Sequence, residues 1–427
     1  MKRLIFLFLL VASCTWGQQP NRPQLVAGFP VNYDEDKVGE YTLPDLFLTA
    51  QGKRVTDAKT WTKTRRPELV KLFEEFQYGK MPRRPSSMIF DVFDKGTPVF
   101  NGKAIRKQVT VQFSKAWPEN KMHLVIYLPA GAKKKAPLLL NLSFSAPNQL
   151  IADPGIRVGE IWNREGKRVK ADQPTPFGKM NVEQFIDAGF GFATVYYGDI
   201  EPDFKDGIKS GGIRAKYLKA GQTTPADDEW GAVSAWAWGL SRAMDYFETD
   251  KQIDSKRIAI QGASRLGKTV LWAGAHDTRF KMVIASVSGE SGAALSRRNY
   301  GETVQHMTDP TRYYYQFAPN YHSFSDKVNR LPVDGHMLVA LMAPRPLLLQ
   351  TGSTDFWSDP KGEFLSAIAA EPVYKLFGKT GPGTTTFPAP GDTSLLLGDL
   401  GYYMHEGGHS VLPGDWTHFI TYMKKHL

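Results

Sequence analysis

The chain has little cysteine, no late hydrophobic run and no dense cluster of basic residues, and each absence excludes a class of protein. Its only cysteine, Cys14, excludes a disulfide framework and a cysteine-ligated zinc or iron–sulfur site. No segment beyond the N-terminal region is long and apolar enough to span a bilayer. The net charge of +10 comes from scattered residues, which is typical of a solvated basic surface. We expect no metal, no other cofactor and no nucleic-acid partner.

The first residues have the pattern of an export signal. Two basic residues precede an apolar run over residues 4–12, which is too short to span a bilayer. The pattern predicts a signal peptide over residues 1–17 and a secreted or periplasmic protein. Two processing outcomes stay open. Cleavage after Gly17 releases a soluble protein, whereas processing of the lipobox-like segment 11–14 leaves a lipoprotein anchored to the membrane through an acylated Cys14.

Short apolar stretches alternate with helical patterns along the rest of the chain. Strands are predicted at Ile105–Phe113, His123–Leu128, Leu138–Phe144, Phe192–Tyr197, Arg257–Gln261, Met282–Ser288, Pro346–Gly352 and Gly401–Met404, and helices at Glu68–Phe76, Glu229–Phe247, Gly267–Ala275 and Trp416–Lys425. This alternation favours a mostly parallel sheet with helices on both faces. Residues 18–60 are predicted as an extended N-terminal wrap, 145–180 as a long surface insertion, and 303–332 as a further insertion. Since no repeat or clear linker divides the chain, we predict one α/β domain, a three-layer αβα sandwich, over residues 18–427.

The segment from Arg257 to Thr269 is typical of a strand, a sharp turn and a helix, and two chemistries fit it. Residues 262–269 match a phosphate-binding loop, in which backbone amides and Lys268 hold phosphates. Against this, a secreted protein meets little ATP, and the next strand lacks a magnesium-binding aspartate. The segment also matches a nucleophile elbow, which raises a serine, here Ser264, above the sheet at a helix N-terminus. We favour the elbow, although its second glycine comes one residue late.

A hydrolase of this kind has its acid and then its histidine later in the chain. His409, in a glycine-containing loop after the last predicted strand, is our candidate general base, with His405 as the alternative. The acid must orient and charge-stabilise that imidazole. Asp355 follows an apolar strand in the usual place for this acid, and Asp359 and Glu290 are its rivals.

The sequence around the candidate nucleophile resembles a known family. The core Gly262-x-Ser264-Arg265-x-Gly267-Lys268, with Asp228-Glu229-Trp230-Gly231 before it and Ser291-Gly292-Ala293-Ala294-Leu295-Ser296-Arg297-Arg298 after it, resembles the glucuronoyl esterases. Further similar pieces are Leu43-Pro44-Asp45, Trp61, Tyr78-Gly79, Pro344-Arg345-Pro346 and Trp357-Ser358-Asp359-Pro360, so the resemblance covers most of the mature chain. Members of this family are carbohydrate esterases of the α/β-hydrolase fold that cleave the ester joining the 4-O-methyl-glucuronic acid of xylan to lignin alcohols. The resemblance implies a serine esterase of lignocellulose degradation whose partners are glucuronoxylan and lignin–carbohydrate esters.

The resemblance also implies roles for residues near the serine. It gives Arg265 a part in holding the oxyanion, which fits the absence of a glycine-rich oxyanion loop at 140–144. It places Lys268, one helical turn after the serine, against the sugar hydroxyls. Glu302 and Trp357 match residues that bind the uronate in bacterial members.

The sequence departs from the family at the catalytic acid. Val287 stands where the family usually has its glutamate, and Glu290 begins the family's Glu-Ser-Gly tripeptide three residues late. Some bacterial members instead have an acid after the following strand, where Asp355 stands, so we prefer Asp355 to Glu290. In the predicted mechanism Ser264 attacks the uronate carbonyl with His409 as base, and water then hydrolyses the glucuronoyl-enzyme.

Three other functions stay open from the sequence alone. The first is cleavage of acetyl-xylan, pectin methyl or feruloyl esters on the same fold. The second is non-catalytic polysaccharide binding on a decayed hydrolase fold, which the missing glutamate at Val287 suggests. The third is nucleotide binding through the phosphate-loop pattern. We expect a monomer.

Overall fold

One nine-stranded sheet forms the centre of the computed structural model, which describes residues 22–427. The predicted signal peptide over residues 1–17, with Cys14, lies outside the described residues. The strands are β1 (Ile89–Val99), β2 (Ala104–Ser114), β3 (Trp117–Pro129), β4 (Ala136–Ser143), β5 (Gly191–Tyr196), β6 (Ile253–Ala263), β7 (Met282–Ser286), β8 (Leu347–Gly352) and β9 (Leu400–His405). Two small antiparallel pairs lie outside this sheet, Leu25–Val26 with Phe29–Pro30 and Glu160–Trp162 with Arg168–Lys170.

Five longer helices accompany the sheet in the described residues. They are α1 (Arg66–Phe76), α2 (Ala232–Phe247), α3 (Arg265–His276), α4 (Pro360–Leu376) and α5 (Pro413–His426). Short helices are Ala58–Thr60, Trp61–Arg65, Pro147–Leu150, Glu183–Asp187, Val304–Thr308, Pro319–His322 and Gly335–Ala340. Single 3₁₀ turns are Glu35–Lys37, Tyr197–Asp199, Gly207–Ser210, Ile213–Tyr217, Tyr314–Gln316, Val328–Arg330 and Phe356–Ser358. None of the helices within residues 22–427 is long and apolar enough to cross a membrane.

The sheet is mostly parallel, as the sequence predicts. Its order is β9-β8-β7-β6-β4-β5-β3-β2-β1. The strands from β9 to β5 run parallel, and β3, β2 and β1 continue the sheet antiparallel. Every residue of β4, β5, β7, β8 and β9 is buried, which is expected where helices cover both faces. The carboxyl ends of the parallel strands therefore meet at one edge, where sites of such folds are built.

Side chains on the two faces of the sheet enter two separate cores. On β4, Leu138 and Leu140 pack with helices α2, α3 and α4, whereas Leu139 packs on the other side with Phe419 and Tyr422 of α5. This alternation follows from the two-residue period of a strand. The three-layer αβα sandwich of an α/β-hydrolase is thereby confirmed.

The largest differences from the predictions concern a strand, a helix and an insertion. Strand β1 and helix α4 have no predicted counterpart, and α4 carries an internal Pro372 that is unfavourable in a helix interior. The prediction that residues 145–180 form a surface insertion is wrong in part, because Ile151 and Ile156 are buried in the second core. The insertion is thus partly integrated into the fold beside the carboxyl edge of the sheet.

The N-terminal wrap lies against loops that follow the parallel strands. Between residues 22 and 57 it contains two short strands, one 3₁₀ turn and an isolated bridge between Leu48 and Arg54. Glu35 pairs with Arg298, and Lys361 donates to Glu35 at 2.7 Å. The amide of Gly301 donates to the carbonyl of Asn32 at 2.8 Å. These contacts attach the wrap to the segments that precede Glu302 and follow Trp357.

Candidate active site

Ser264 occupies a strained turn between β6 and α3. Its backbone has φ 58° and ψ −128°, a combination that non-glycine residues rarely adopt. The Ser264 amide donates to the carbonyl of Ser286 at 2.9 Å, and the Lys268 amide donates to the Ser264 carbonyl at 3.1 Å. These bonds hold the turn, so the serine is placed at the carboxyl edge of the sheet. The first amides of α3 have no partners inside the helix and are available at this point.

Two glycines allow the helix to approach the sheet this closely. A Cβ on Gly262 would lie 2.4 Å from the carbonyl oxygen of Leu266, and a Cβ on Gly267 would lie 2.7 Å from that of Ser286. Both distances are far shorter than van der Waals contact permits. Gly267 thus allows α3 to pack closely on β7 and is not part of the turn, which explains why it stands one residue later than the second glycine of the usual elbow pattern.

The geometry does not support the phosphate-loop alternative. Strand β6 ends at Ala263 and α3 begins at Arg265, so no loop of several residues remains to surround a phosphate. Strand β7 ends at Ser286 without an aspartate, as the sequence already indicates.

His409 is held by Asp355. Its Nδ1 lies 2.7 Å from Oδ2 of Asp355 and 3.0 Å from Oγ of Ser358. If Nδ1–H donates to the carboxylate, Nε2 is the unprotonated nitrogen and is able to accept a proton from a hydroxyl. Asp355 is buried, and the His409 side chain is 42% exposed. This is the arrangement of an acid that orients a general base.

Backbone bonds between the loops after β8 and β9 bring this pair together. The Ser353 amide donates to the carbonyl of His405 at 3.0 Å, and the Thr354 amide donates to that of Gly407 at 2.8 Å. These bonds extend the parallel pairing that joins Gly352 with His405. The acid and the histidine thus follow adjacent strands and meet at the sheet edge.

The rival residues lie in other contacts. His405 is buried. Its Nδ1 lies 2.8 Å from Oδ2 of Asp415, and its Nε2 lies 3.1 Å from the carbonyl oxygen of Gly408. Asp359 accepts from Arg298 at 2.9 Å and caps helix α4. His405 is thus paired with Asp415, and Asp359 accepts hydrogen bonds from Arg298 and Gly362 instead of from His409.

Glu290 points into a buried polar network instead of toward His409. Its Oε1 accepts from Ser296 Oγ at 2.6 Å and from the Ser291 amide at 2.8 Å. Burial raises the pKa of this carboxyl to about 8, and Asp334 adds to the rise. Among the three carboxylates weighed from the sequence, only Asp355 contacts His409.

Two cavities meet at Ser264 and His409. The polar cavity, of about 470 Å³, is lined by these two residues together with Arg265, Lys268, Glu302, Tyr313 and Trp357, among others. The apolar cavity, of about 360 Å³, is lined by them together with Leu150, Met180, Val287, Val411 and Trp416, among others. Phe144 and Phe177 line both cavities. A reacting carbonyl at Ser264 therefore has charged side chains on one side and, on the other, a lining that combines apolar residues with Asn141, Lys179 and Gln261.

All four residues assigned by resemblance border the polar cavity. The Arg265 guanidinium donates to Asp203 at 2.6 Å, and the neighbouring carboxylate and tyrosines keep its pKa above the ordinary value despite burial. Lys268 is 4% exposed, and burial lowers the pKa of its ammonium. Within residues 22–427 this ammonium makes no hydrogen bond, so its donors are available to a ligand in the cavity.

Glu302 and Trp357 are the other two of these residues, and they contact each other. Glu302 accepts from Arg312 at 2.8 Å, and its amide donates to the carbonyl of Trp357 at 2.8 Å. The Trp357 ring lies 5.2 Å from that of His306. An aromatic face beside charged donors and acceptors is suited to a sugar ring with its hydroxyls.

Sequence reasoning missed several residues that the structure places here. Asp203 contacts Arg265, Ser358 contacts His409, and Phe177 lines both cavities. No motif surrounds Asp203 or Phe177 in the sequence. Ser358 lies inside the Trp-Ser-Asp-Pro piece of the resemblance, which was the available signal.

The buried Glu290 predicts a pH effect on stability. Between the ordinary pKa of 4.5 and about 8, the folded protein keeps a proton that the unfolded chain has lost. The free energy of unfolding therefore falls as pH rises through this window, by at most about 1.4 kcal/mol per pH unit for this group. Glu290→Gln, which resembles the neutral acid, is expected to reduce that slope in denaturant titrations between pH 5 and 8.

A residual slope is expected in the variant, because burial also raises the pKa of Glu363 to about 8. Glu165→Gln, at an exposed position, is the matched control and should leave the slope as in the wild type. An unchanged slope in Glu290→Gln would show that this carboxyl is already ionised in the folded protein.

Comparisons with known proteins identify the family to which this chain is similar. A family model described as "Glucuronyl esterase, fungi" matches residues 224–378. A carbohydrate esterase from an unknown prokaryotic organism is 42% identical over 99% of this chain and 98% of its own length. The structure of a glucuronoyl esterase from Solibacter usitatus is 44% identical, covers 92% of this chain and 100% of its own, and has a TM-score of 0.86. A promiscuous CE15 esterase from a marine bacterial metagenome is 43% identical, covers 93% and 100%, and has a TM-score of 0.85.

Proposed function

Because the chain belongs to the glucuronoyl esterases and is a carboxylic ester hydrolase, we propose that it cleaves the ester between the 4-O-methyl-glucuronic acid of xylan and an alcohol. The observation that carries this proposal is the position of Ser264 and His409 on the border of the polar cavity, with Arg265 and Lys268 beside them. A uronate brings hydroxyls and a developing oxyanion to this place, and cationic donors are the groups that bind them.

In the proposed reaction Ser264 Oγ attacks the ester carbonyl while Nε2 of His409 takes the hydroxyl proton. Asp355 holds the imidazole through Nδ1 and stabilises the imidazolium. His409 then gives this proton to the departing alcohol oxygen, which leaves a glucuronoyl ester on Ser264. A water molecule, deprotonated by His409, attacks that ester and releases the acid and the free serine.

The oxyanion of both tetrahedral intermediates needs donors. The amide of Arg265 begins α3, and its guanidinium lies in the same cavity as Ser264. We propose that both donate to the oxyanion, and that Lys268, Glu302 and Trp357 hold the sugar ring. One lost oxyanion donor costs about 3–4 kcal/mol in other enzymes of this chemistry.

The apolar cavity is proposed to receive the alcohol. With the uronate in the polar cavity, the leaving group points toward Phe144 and Phe177, whose rings stack 5.6 Å apart at 29°. An aromatic lignin alcohol fits such a surface better than methanol does, because stacked aromatic pairs contribute about 0.5–1.5 kcal/mol beyond the area they bury.

The proposed function is tested by ester hydrolysis with the purified mature protein. The methyl and benzyl esters of 4-O-methyl-glucuronic acid are expected to be hydrolysed with a higher kcat/KM than acetyl-xylan or a feruloyl ester. Rapid release of acetate from acetyl-xylan by a protein that leaves both glucuronate esters intact would overturn the substrate assignment.

Hydrolysis of other carbohydrate esters is the second candidate function. A 43% identical relative is described as promiscuous, which favours a weaker activity of this kind. The same assay distinguishes the two, because a promiscuous glucuronoyl esterase still prefers the uronate esters whereas an acetyl-xylan esterase does not.

A selectivity effect is expected at Phe177, whose side chain is 67% exposed at the border of the two cavities. Phe177→Ala removes the stacking surface for an aromatic alcohol but leaves the charged residues of the polar cavity, Arg265, Lys268 and Glu302, in place. The variant is expected to lose about 2–10-fold in kcat/KM on the benzyl ester and less than about twofold on the methyl ester.

Phe93→Ala is the matched control, since Phe93 is also an exposed phenylalanine, at 42%, and lines neither cavity. Phe93→Ala should leave kcat/KM unchanged on both the benzyl and the methyl ester. Equal losses of Phe177→Ala on both esters would show that Phe177 supports the site generally and does not contact the alcohol.

A further inference from the structure

Asp203 is a buried carboxylate whose oxygens are fully occupied. It follows β5 and the turn Tyr197–Asp199, and its Oδ2 accepts from the Arg265 guanidinium at 2.6 Å and from Tyr197 at 2.9 Å. Its Oδ1 accepts from the Tyr315 hydroxyl at 2.8 Å and from the side-chain Nε2 of Gln316 at 2.9 Å. Donors from three separate segments of the chain therefore fix the rotation of this carboxylate.

The arrangement restrains Arg265 on two sides. Asp203 holds one nitrogen of its guanidinium, and the ring of Tyr313 lies 4.7 Å from the guanidinium carbon. A free arginine side chain carries about 2 kcal/mol of rotamer entropy, which a donor must lose before it helps a transition state. Here that freedom is already removed in the folded protein without a substrate.

We propose that Asp203 is a positioning residue that fixes the Arg265 guanidinium where the oxyanion forms. The inference rests on the proposed role of Arg265. Asp203 acts through the direction it gives to the arginine, because its own negative charge weakens the attraction between the guanidinium and an oxyanion. Its contribution is therefore geometric, and it is greatest in the transition state, in which the negative charge is localised.

A double-mutant cycle tests this proposal, with the methyl ester of 4-O-methyl-glucuronic acid as substrate. Asp203→Ala is expected to lower kcat by about 10–100-fold, with KM within about threefold of the wild type. In the Arg265→Ala background the same substitution is expected to change kcat less than about twofold, because no guanidinium remains to be positioned. Asp203→Asn keeps an oxygen acceptor and is expected to lose less activity than Asp203→Ala.

Asp199→Ala is the matched control. Asp199 is a buried carboxylate four positions earlier, and it pairs with Arg168 at 2.7 Å away from Ser264. It should lower the melting temperature as Asp203→Ala does but leave kcat near the wild-type value. An equal loss of kcat in Asp199→Ala would assign both effects to general disturbance of the loop and would overturn the proposal.

Other outcomes are equally decisive. The same loss of kcat from Asp203→Ala in both backgrounds would mean that Asp203 acts independently of Arg265. A kcat of Asp203→Asn above that of the wild type would mean that the negative charge of Asp203 only slows the reaction. Either result would overturn the proposal. If Asp203→Ala does not fold, Asp203→Asn in both backgrounds supplies the cycle. A wild-type protein without glucuronate esterase activity would instead remove the proposed function itself.

Discussion

Ser264→Ala is expected to lower kcat on the methyl ester of 4-O-methyl-glucuronic acid by at least about 10⁴-fold with little change in KM. The variant keeps the polar cavity, so the substrate still binds, but no oxygen is present to form the glucuronoyl-enzyme. The residual rate should come only from the donors that surround the oxyanion. Initial rates measure this loss, provided that the variant is assayed at a much higher enzyme concentration than the wild type.

Covalent labelling gives a second measurement of the same serine. A fluorophosphonate should add one phosphonyl group to the wild type by intact mass and none to Ser264→Ala. Ser145→Ala is the matched control, because Ser145 lines the apolar cavity as Ser264 does, and it should be labelled like the wild type. An adduct on Ser264→Ala, or turnover within tenfold of the wild type, would move the nucleophile to another residue.

The residues of the site that depend on the order of the strands can be predicted from the sequence. Ser264, Asp355 and His409 each follow an apolar strand, and parallel strands bring their carboxyl ends to one edge. For that reason a pattern of strands and turns was enough to predict the sheet and these three candidates. Contacts between the loops then decide which of the neighbouring carboxylates meets the histidine.

The short sequence patterns around Glu290 and Asp355 do not show which of them is the acid that contacts His409. Glu290 and Asp355 both come shortly after a strand, and both are buried. What separates them is the backbone after β7, where Val287 and Ser291 adopt φ values of 42° and 57° and turn Glu290 into the interior. Such a turn depends on packing against other segments, which no single-sequence pattern records.

Asp203 and helix α4 were missed for a related reason. The partners of Asp203 come from positions near 197, 265 and 315, so the cluster exists only after the chain has folded. Helix α4 has Pro372 inside it and is stabilised mainly by the apolar residues that it buries against the sheet. Local propensity is a weak guide where tertiary packing supplies most of the stability.

Asp355→Ala is expected to lower kcat by about 10³–10⁴-fold, the second largest effect of a single substitution here. The Nδ1–H of His409 loses its acceptor at 2.7 Å, so the imidazole is no longer held in the tautomer that leaves Nε2 free. The imidazolium formed during attack also loses its counter-charge. The loss should appear in kcat and in kcat/KM alike, because the interaction matters most in the transition state.

Glu290→Gln is the control that gives this result its meaning. It replaces the rival carboxyl by a neutral group in the same buried network, so it should keep kcat within about threefold of the wild type at pH 7. If Glu290→Gln lost turnover while Asp355→Ala kept it, the acid assignment would be wrong despite the contact with His409. Large losses in both variants would mean that the network around Glu290 also supports the catalytic loops, because Glu290 itself accepts hydrogen bonds from Ser291 and Ser296 and not from the histidine.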